Sequence, residues 1–294
     1  MKDYVIVTDS CIDLPDKLAK SLALEVIPLS VWVEDRVYYN YLDEREITFQ
    51  DFYKELQEKK RIQTSQLNPE AFMKNFEPLL RAGKDILSIS FSSALSGTYA
   101  SSLVAKEELL DKYKERKIVT IDSLCASMGQ GLLLTYAAEL KKEGKSLEEV
   151  ASWVEENKLR VSHLFTVDDL NHLRRGGRLS TISALLGTIL RVKPLLHVSK
   201  EGKLTVQDKA RGRSSAINLL LERMLKTIVN PEEQIIYISH AEALSDAEYL
   251  REQIQKRLPV KEVLINYIGP VIGSHSGRGT LAVFYLGNDR INEK

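Results

Sequence analysis

Asp85-Ile86-Leu87-Ser88-Ile89-Ser90-Phe91 runs directly into Ser92-Ser93-Ala94-Leu95-Ser96-Gly97-Thr98-Tyr99. The first seven residues read as an apolar strand. Gly97–Tyr113 reads as the helix that follows it. A strand, a hydroxyl-rich loop and a helix in this order are the repeating unit of an α/β fold. Ligands of such sheets bind at the carboxyl ends of the strands, so the loop after Phe91 is where a site belongs.

The same alternation extends in both directions. Tyr4–Thr8 is a short strand, and Asp13-Leu14-Pro15 opens a helix with Asp13 as the expected N-cap and Pro15 in the first turn. Val26–Val33 and Arg36–Tyr41 read as strands, and Thr48–Lys60 as a helix capped by Thr48, with Phe49, Phe52, Tyr53 and Leu56 on one face. Asn68-Pro69 starts another helix. Lys117–Ile121 is a strand, and helices run over Ala126–Lys142 and Leu147–Lys158. This half implies a mostly parallel sheet covered on both faces. After about residue 159 the pattern changes. Val161–Val167 is a strand and Thr181–Leu190 a short apolar helix; Lys193–Ser199 and Leu204–Lys209 flank Glu201-Gly202-Lys203 as a β-hairpin. Strands at Gln234–Ser239, Glu262–Ile268 and Thr280–Leu286 alternate with helices from Ser214 and Ser245. The expectation is two α/β domains, 1–159 and 160–294, the second with a mixed sheet and the last strand free to pair with either half.

Composition narrows the function classes. The 294 residues carry 41 Lys plus Arg and 41 Asp plus Glu, a net charge of zero. That balance argues against a nucleic-acid partner and gives no polybasic signal for an anionic membrane. Met1-Lys2-Asp3-Tyr4-Val5 enters a strand without a signal-peptide core, and no run approaches the roughly 20 apolar residues of a membrane span. The expectation is a cytoplasmic protein with no stable membrane insertion. Two cysteines, Cys11 and Cys125, make neither a disulfide framework nor a metal site. No phosphate loop, kinase signature set, nucleophile elbow or zinc-protease motif occurs. No metal and no cofactor are expected.

Three distant segments share one chemistry: Thr64-Ser65-Gln66, Ser92–Tyr99, and Ile268-Gly269-Pro270-Val271-Ile272-Gly273-Ser274-His275-Ser276-Gly277. Each sets hydroxyl or imidazole donors in a loop next to an apolar run. Together they suit one anionic oxygen group held by neutral donors, a carboxylate or phosphate head group. Each residue also has a plainer reading. Ser96 can be an ordinary helix cap, Thr64 a loop hydroxyl and His275 a structural imidazole. Arg174-Arg175-Gly176-Gly177-Arg178 is either a phosphate-binding turn or a solvated one. The helix Thr181–Leu190 either packs into a core or walls an acyl tunnel, with Ala184, Leu185, Leu186 and Ile189 facing the chain and Gly187 leaving room.

With Thr8-Asp9-Ser10, Leu173–Leu179 and Lys209-Ala210-Arg211-Gly212-Arg213, these segments resemble the DegV family of bacterial lipid-binding proteins, from about residue 4 to 287. The resemblance implies a fatty acid held in a cleft between two α/β domains and presented to a separate fatty acid kinase, whose acyl phosphate enters phospholipid synthesis through a downstream acyltransferase. It assigns Thr64, Ser96 and His275 to the carboxylate, with Ser65, Gly97, Thr98, Gly273 and Arg175 in support and Ile272 beside the acyl chain. It gives Arg211 to phosphoryl transfer by the kinase, with Arg213 the weaker choice. Leu67 and Arg278 stand where the family usually has Pro. Burying a sixteen-carbon tail offers on the order of 10 kcal/mol gross, and the carboxylate needs hydrogen bonds in exchange for water. The competing reading is an enzyme acting on a small phosphorylated or carboxylated metabolite through Ser96 and His275.

Overall fold

The computed structural model describes residues 3–58, 60–179, 192–288 and 290. The first half contains β1 (Tyr4–Asp9), α1 (Asp16–Ser21), β2 (Leu24–Ile27), β3 (Ser30–Val33), β4 (Arg36–Tyr39), α2 (Phe49–Gln57), β5 (Ile62–Ser65), α3 (Pro69–Arg81), β6 (Asp85–Ser90), α4 (Thr98–Lys112), β7 (Ile118–Asp122), α5 (Met128–Lys142) and α6 (Leu147–Asn157). Strands β2-β1-β6-β7 form a wholly parallel sheet. Every residue of β1 and β6 is buried, as expected of strands covered on both faces. Strands β4-β3-β5 form a separate antiparallel sheet.

The second half contains β8 (Val161–Thr166), α7 (Leu170–Arg175), β9 (Val192–Val198), β10 (Leu204–Arg211), α8 (Arg213–Thr227), β11 (Ile235–His240), α9 (Leu244–Arg257), β12 (Glu262–Tyr267), α10 (Pro270–Ser276) and β13 (Leu281–Leu286). Its sheet runs β10-β9-β8-β13-β11-β12. Only β11 and β12 pair in parallel; the hairpin β9–β10 and the pairs of β13 with β8 and β11 are antiparallel. The last strand therefore sits inside the second sheet.

Helix α5 joins the halves. Met128, Leu132 and Leu133 share one core with Ile6 and Leu87 of the parallel sheet and with Phe165, Tyr237 and Phe284 of the mixed one. A second core lies between the parallel sheet, α3, α4 and the small sheet, and reaches Ile268 and Val271 of the second half. A third lies between the mixed sheet, α8 and α9.

Several expectations are corrected. Val26–Val33 is two strands in two sheets. Pro28 brings no N–H to the ladder, and Leu29 N–H turns instead to Ser10 Oγ at 3.0 Å. Asp13 is not the N-cap of α1. It is buried at φ 49°, its carboxylate accepts from Ser127 Oγ at 2.5 Å and Gly269 N at 3.0 Å, and α1 starts after Pro15. Thr64 lies on a strand paired with β3, and His275 on a short helix, where loops were expected. The Arg174-Arg175 segment closes a helix, α7, that was read as a turn. The helix expected over Thr181–Leu190, with Ala184, Leu185, Leu186, Gly187 and Ile189, lies outside the described residues.

Candidate functional site

Asp9, at the carboxyl end of β1, is buried and accepts from Phe91 N at 2.8 Å. That bond fixes the turn leaving β6, and Ser96 follows at the head of α4. Ser96 Oγ lies 3.0 Å from Thr98 Oγ1 and accepts the Thr98 N–H at 3.3 Å, just ahead of the Gly97 N-cap. Thr98 is buried and takes the Leu67 N–H at 3.3 Å, tying the segment after Thr64-Ser65-Gln66 to α4. Gly97 leaves room for the Gln66 amide, which a Cβ would overlap.

His275 reaches the same place from the other half. Its Nε2 lies 2.8 Å from Thr64 Oγ1. Pro270 at the first turn of α10 needs no hydrogen-bonded N–H, and Gly273 lets the helix press against Tyr53 and Phe52. Gly176, at the end of α7, lies against His275 Nδ1, so that a Cβ there would overlap the ring. Burial first, then the Arg178 charge, pushes the His275 imidazole down to about 4. The ring is neutral near pH 7, and a carboxylate brought beside it would draw the value up.

Thr64, Ser65, Gln66, Ser96, His275 and Arg178 line one end of a cavity of about 810 Å³, open mouth included. Its deeper wall is apolar: Leu29, Phe91, Leu95, Phe165, Ile268, Val271, Ile272 and Phe284. Among the described lining residues there is no carboxylate, and Arg178 is the one permanent charge. Arg178 Nε donates to Leu95 O at 3.1 Å, and another guanidinium N–H is held by Gly176 O. Most polar groups of the deep wall are occupied, while the buried Ser276 hydroxyl, also on the lining, has no partner among the described residues. His163 Nε2 accepts from Ala126 N at 3.1 Å, so its proton sits on Nδ1, which donates to Val161 O at 2.9 Å. Ser127 Oγ is shared between Asp13 at 2.5 Å and Ser239 Oγ at 3.2 Å.

The structure thus brings Thr64, Ser65, Ser96, Ile272 and His275 to one cavity, with Gly97, Thr98 and Gly273 behind its wall. Arg175 is exposed and not on the lining. Arg211, at the end of β10, is also exposed and off the lining, and Arg213 is paired with Asp246 at 2.8 Å and Asp168 at 3.6 Å. Arg278 contacts Gln57 and, at 3.8 Å, Glu242. Cys11 lines the cavity and Cys125 lies behind it, both as free thiols. Sequence reasoning passed over Arg178 and His163 and took Asp13 for a helix cap. Arg178 stands in the Arg174–Arg178 motif, while nothing local marks His163. Among the described residues no cluster of three or more metal-ligating side chains occurs and no helix is long and apolar enough to cross a membrane.

Comparison with known proteins places the chain. The model of the DegV family, described as uncharacterised proteins, matches residues 3–288. A DegV domain-containing protein of Clostridium perfringens is 48% identical over 290 residues, 99% of each chain. A solved structure reporting fatty acid binding of a DegV family protein from Thermus thermophilus is 32% identical, with a TM-score of 0.88 over 98% of this chain and 100% of that one. The fatty acid kinase B3 protein of Streptococcus pneumoniae, loaded with linoleic acid, superposes with a TM-score of 0.84 over 97% of this chain and 100% of that one. At 22% identity that last likeness speaks for the fold.

Proposed function

Because this chain belongs to the DegV family, we propose that it binds a long-chain fatty acid in the cavity between its two halves and presents the carboxylate to a separate fatty acid kinase. The observation that carries the reading is the division of the cavity: hydroxyl and imidazole donors and one guanidinium at the mouth, a mostly apolar wall within. The carboxylate would take the hydroxyls of Thr64 and Ser96 and the His275 imidazole. The tail would run past Ile272 and Ile268 toward Phe165 and Phe284. Such charge-assisted bonds are worth about 1.5–3 kcal/mol each, and they act beside a tail whose burial supplies most of the affinity. Arg178, half-buried at the same mouth, would favour the added negative charge once the acid is phosphorylated. Arg211 is exposed, as a residue meeting a partner kinase must be. The acyl phosphate would then pass to an acyltransferase of phospholipid synthesis.

Organic extraction of the purified protein followed by mass spectrometry tests the binding reading. About one fatty acid per chain is the expected result. A protein that yields none, and takes up none when palmitic or oleic acid is supplied, overturns it. The kinase step is tested separately with lipid-loaded protein, kinase and ATP, trapping acyl phosphate with hydroxylamine. Arg211→Ala should keep its lipid and lose turnover by orders of magnitude; wild-type turnover would remove the role.

A further inference from the structure

Arg290 is 5% exposed, and its guanidinium spends all five N–H donors. Nε donates to Val161 O at 3.0 Å. One terminal nitrogen donates to Ser199 O at 3.2 Å and to Leu124 O, the other to Lys158 O at 3.0 Å and Cys125 Sγ at 2.9 Å. None of these acceptors is a carboxylate. They come from four separate places: the loop after β7, the end of α6, the start of β8, and the turn between β9 and β10. A buried cation costs a great deal unless its donors are met, and here backbone from both halves is drawn around one side chain to meet them.

The β9–β10 turn has a second tether on the first half. Ser92 Oγ donates to Gly202 O at 2.9 Å. Gly202 has φ +76°, and a Cβ there would overlap Ser92 Oγ and lie 3.3 Å from Leu124 Cα. Val198 and Leu204, on either side of this turn, line the deep cavity, as do Ala126 and His163. Cys125 and Val161, two of the acceptors of Arg290, stand next to Ala126 and two residues from His163. The Arg290 charge also helps hold the His163 imidazole far below its usual range, after burial itself. Arg290 therefore sits directly behind the deep wall.

We propose that Arg290 is a positioning residue that straps the β9–β10 hairpin to the first half and closes the deep end of the acyl cavity. The strap then sets how long a chain the cavity accepts and how slowly that chain leaves. The inference rests on the fatty-acid reading above. Its test uses the full chain, delipidated and reloaded with radiolabelled palmitic acid (sixteen carbons) or behenic acid (twenty-two carbons), with release followed into phosphatidylcholine vesicles. Arg290→Met keeps the bulk and removes every donor. It should release palmitic acid about tenfold faster and narrow the preference for palmitic over behenic acid. Arg290→Lys, with three donors in place of five, should fall between. Ser92→Ala loosens the same turn from its other tether and should shift release in the same direction by a smaller factor. Folded Arg290→Met with wild-type release and wild-type chain preference overturns the proposal. If Arg290→Met does not fold, Ser92→Ala decides: unchanged release and unchanged preference overturn it equally. Wild-type protein that takes up neither acid would instead sink the binding reading on which the strap depends.

Discussion

Two histidines line one cavity, and the structure uses them in opposite ways. His163 lies deep, its Nδ1 donating to Val161 O and its Nε2 accepting from Ala126 N. Its ring stands edge-on to Phe284 with centroids 5.3 Å apart. Nothing polar on it is left for a ligand. His275 lies at the mouth, and its one hydrogen-bond partner among the described residues is a side-chain hydroxyl, Thr64 Oγ1 at 2.8 Å. Burial makes both rings neutral. What separates a wall from a receptor is whether the partner is rigid backbone or a hydroxyl with hydrogen-bonding capacity to spare.

The comparison breaks first at His163. His163→Ala leaves the Ala126 N–H and Val161 C=O unpartnered and a void against Phe284, so it should cost about 3 kcal/mol of stability in denaturant unfolding. A loss below about 1 kcal/mol would mean that the ring is dispensable and the deep wall is softer than its hydrogen bonds imply. His275→Ala removes a ligand-facing group instead. It should weaken fatty-acid binding by about 2 kcal/mol, read by displacement of a fluorescent fatty acid, while the same change at His163 acts on stability first. Equal affinity in wild type and folded His275→Ala would move the head group away from α10.

How far the sequence reveals this divides along the same line. The parallel alternation of the first half and the hairpin of the second are local patterns, set by strand periodicity and turn residues, and they are where the periodicity puts them. The convergence of Thr64, Ser96 and His275 spans up to 211 residues of chain, and spacing alone says nothing about such a contact; the family resemblance supplied the trio. Helix α10 has three glycines in or flanking its seven residues, Gly269, Gly273 and Gly277, and poor intrinsic propensity. It exists because Tyr53 and Phe52 pack against it, a tertiary cause. Asp13 carries the strongest local cap signal of its segment, yet the Ser127 hydroxyl and the Gly269 N–H claim its carboxylate from far along the chain. Arg290 gave no signal at all, because its acceptors are backbone carbonyls that any sequence would have.

The pH response sharpens the comparison at the level of stability. All five histidines are held below the usual 6.5, with burial the first cause in each, and His240 and His275 reach about 4. Between pH 6.5 and 4 the unfolded chain therefore binds protons that the folded chain refuses, and stability falls as pH falls. Asp13 works the other way. Burial raises its carboxyl from 3.8 to about 7, so over the same window the folded state binds the extra proton and gains stability as pH falls. Asp9, whose buried carboxyl is also raised, acts with Asp13; the more numerous histidines outweigh the two carboxyls, so stability should fall from pH 6.5 to 5.5. Asp13→Asn keeps an acceptor for Gly269 N–H and a donor for Ser127, and it removes one of the two opposing contributions. Its stability should fall more steeply over that window. A slope unchanged from wild type would show that Asp13 titrates elsewhere.

The smallest effect isolates the mouth from the scaffold. Gly176 ends α7 with φ −73° and ψ −6°, a conformation that alanine adopts without strain. Gly176→Ala should therefore leave stability unchanged or raise it slightly, since alanine restricts the unfolded chain more than glycine does. The added Cβ would overlap His275 Nδ1, while its next contact, His172 O at 3.3 Å, is tight and asks only a few tenths of an ångström of relief. The imidazole is the movable partner and would have to turn away, lengthening its bond to Thr64. Fatty-acid affinity should drop by about 1 kcal/mol, less than in His275→Ala, because a displaced ring can still reach the acid through a relaxed geometry. Two measurements on one variant decide the point: a melting temperature at or above wild type together with a several-fold weaker dissociation constant. A lowered melting temperature with wild-type affinity would place His275 among the structural histidines, alongside His163.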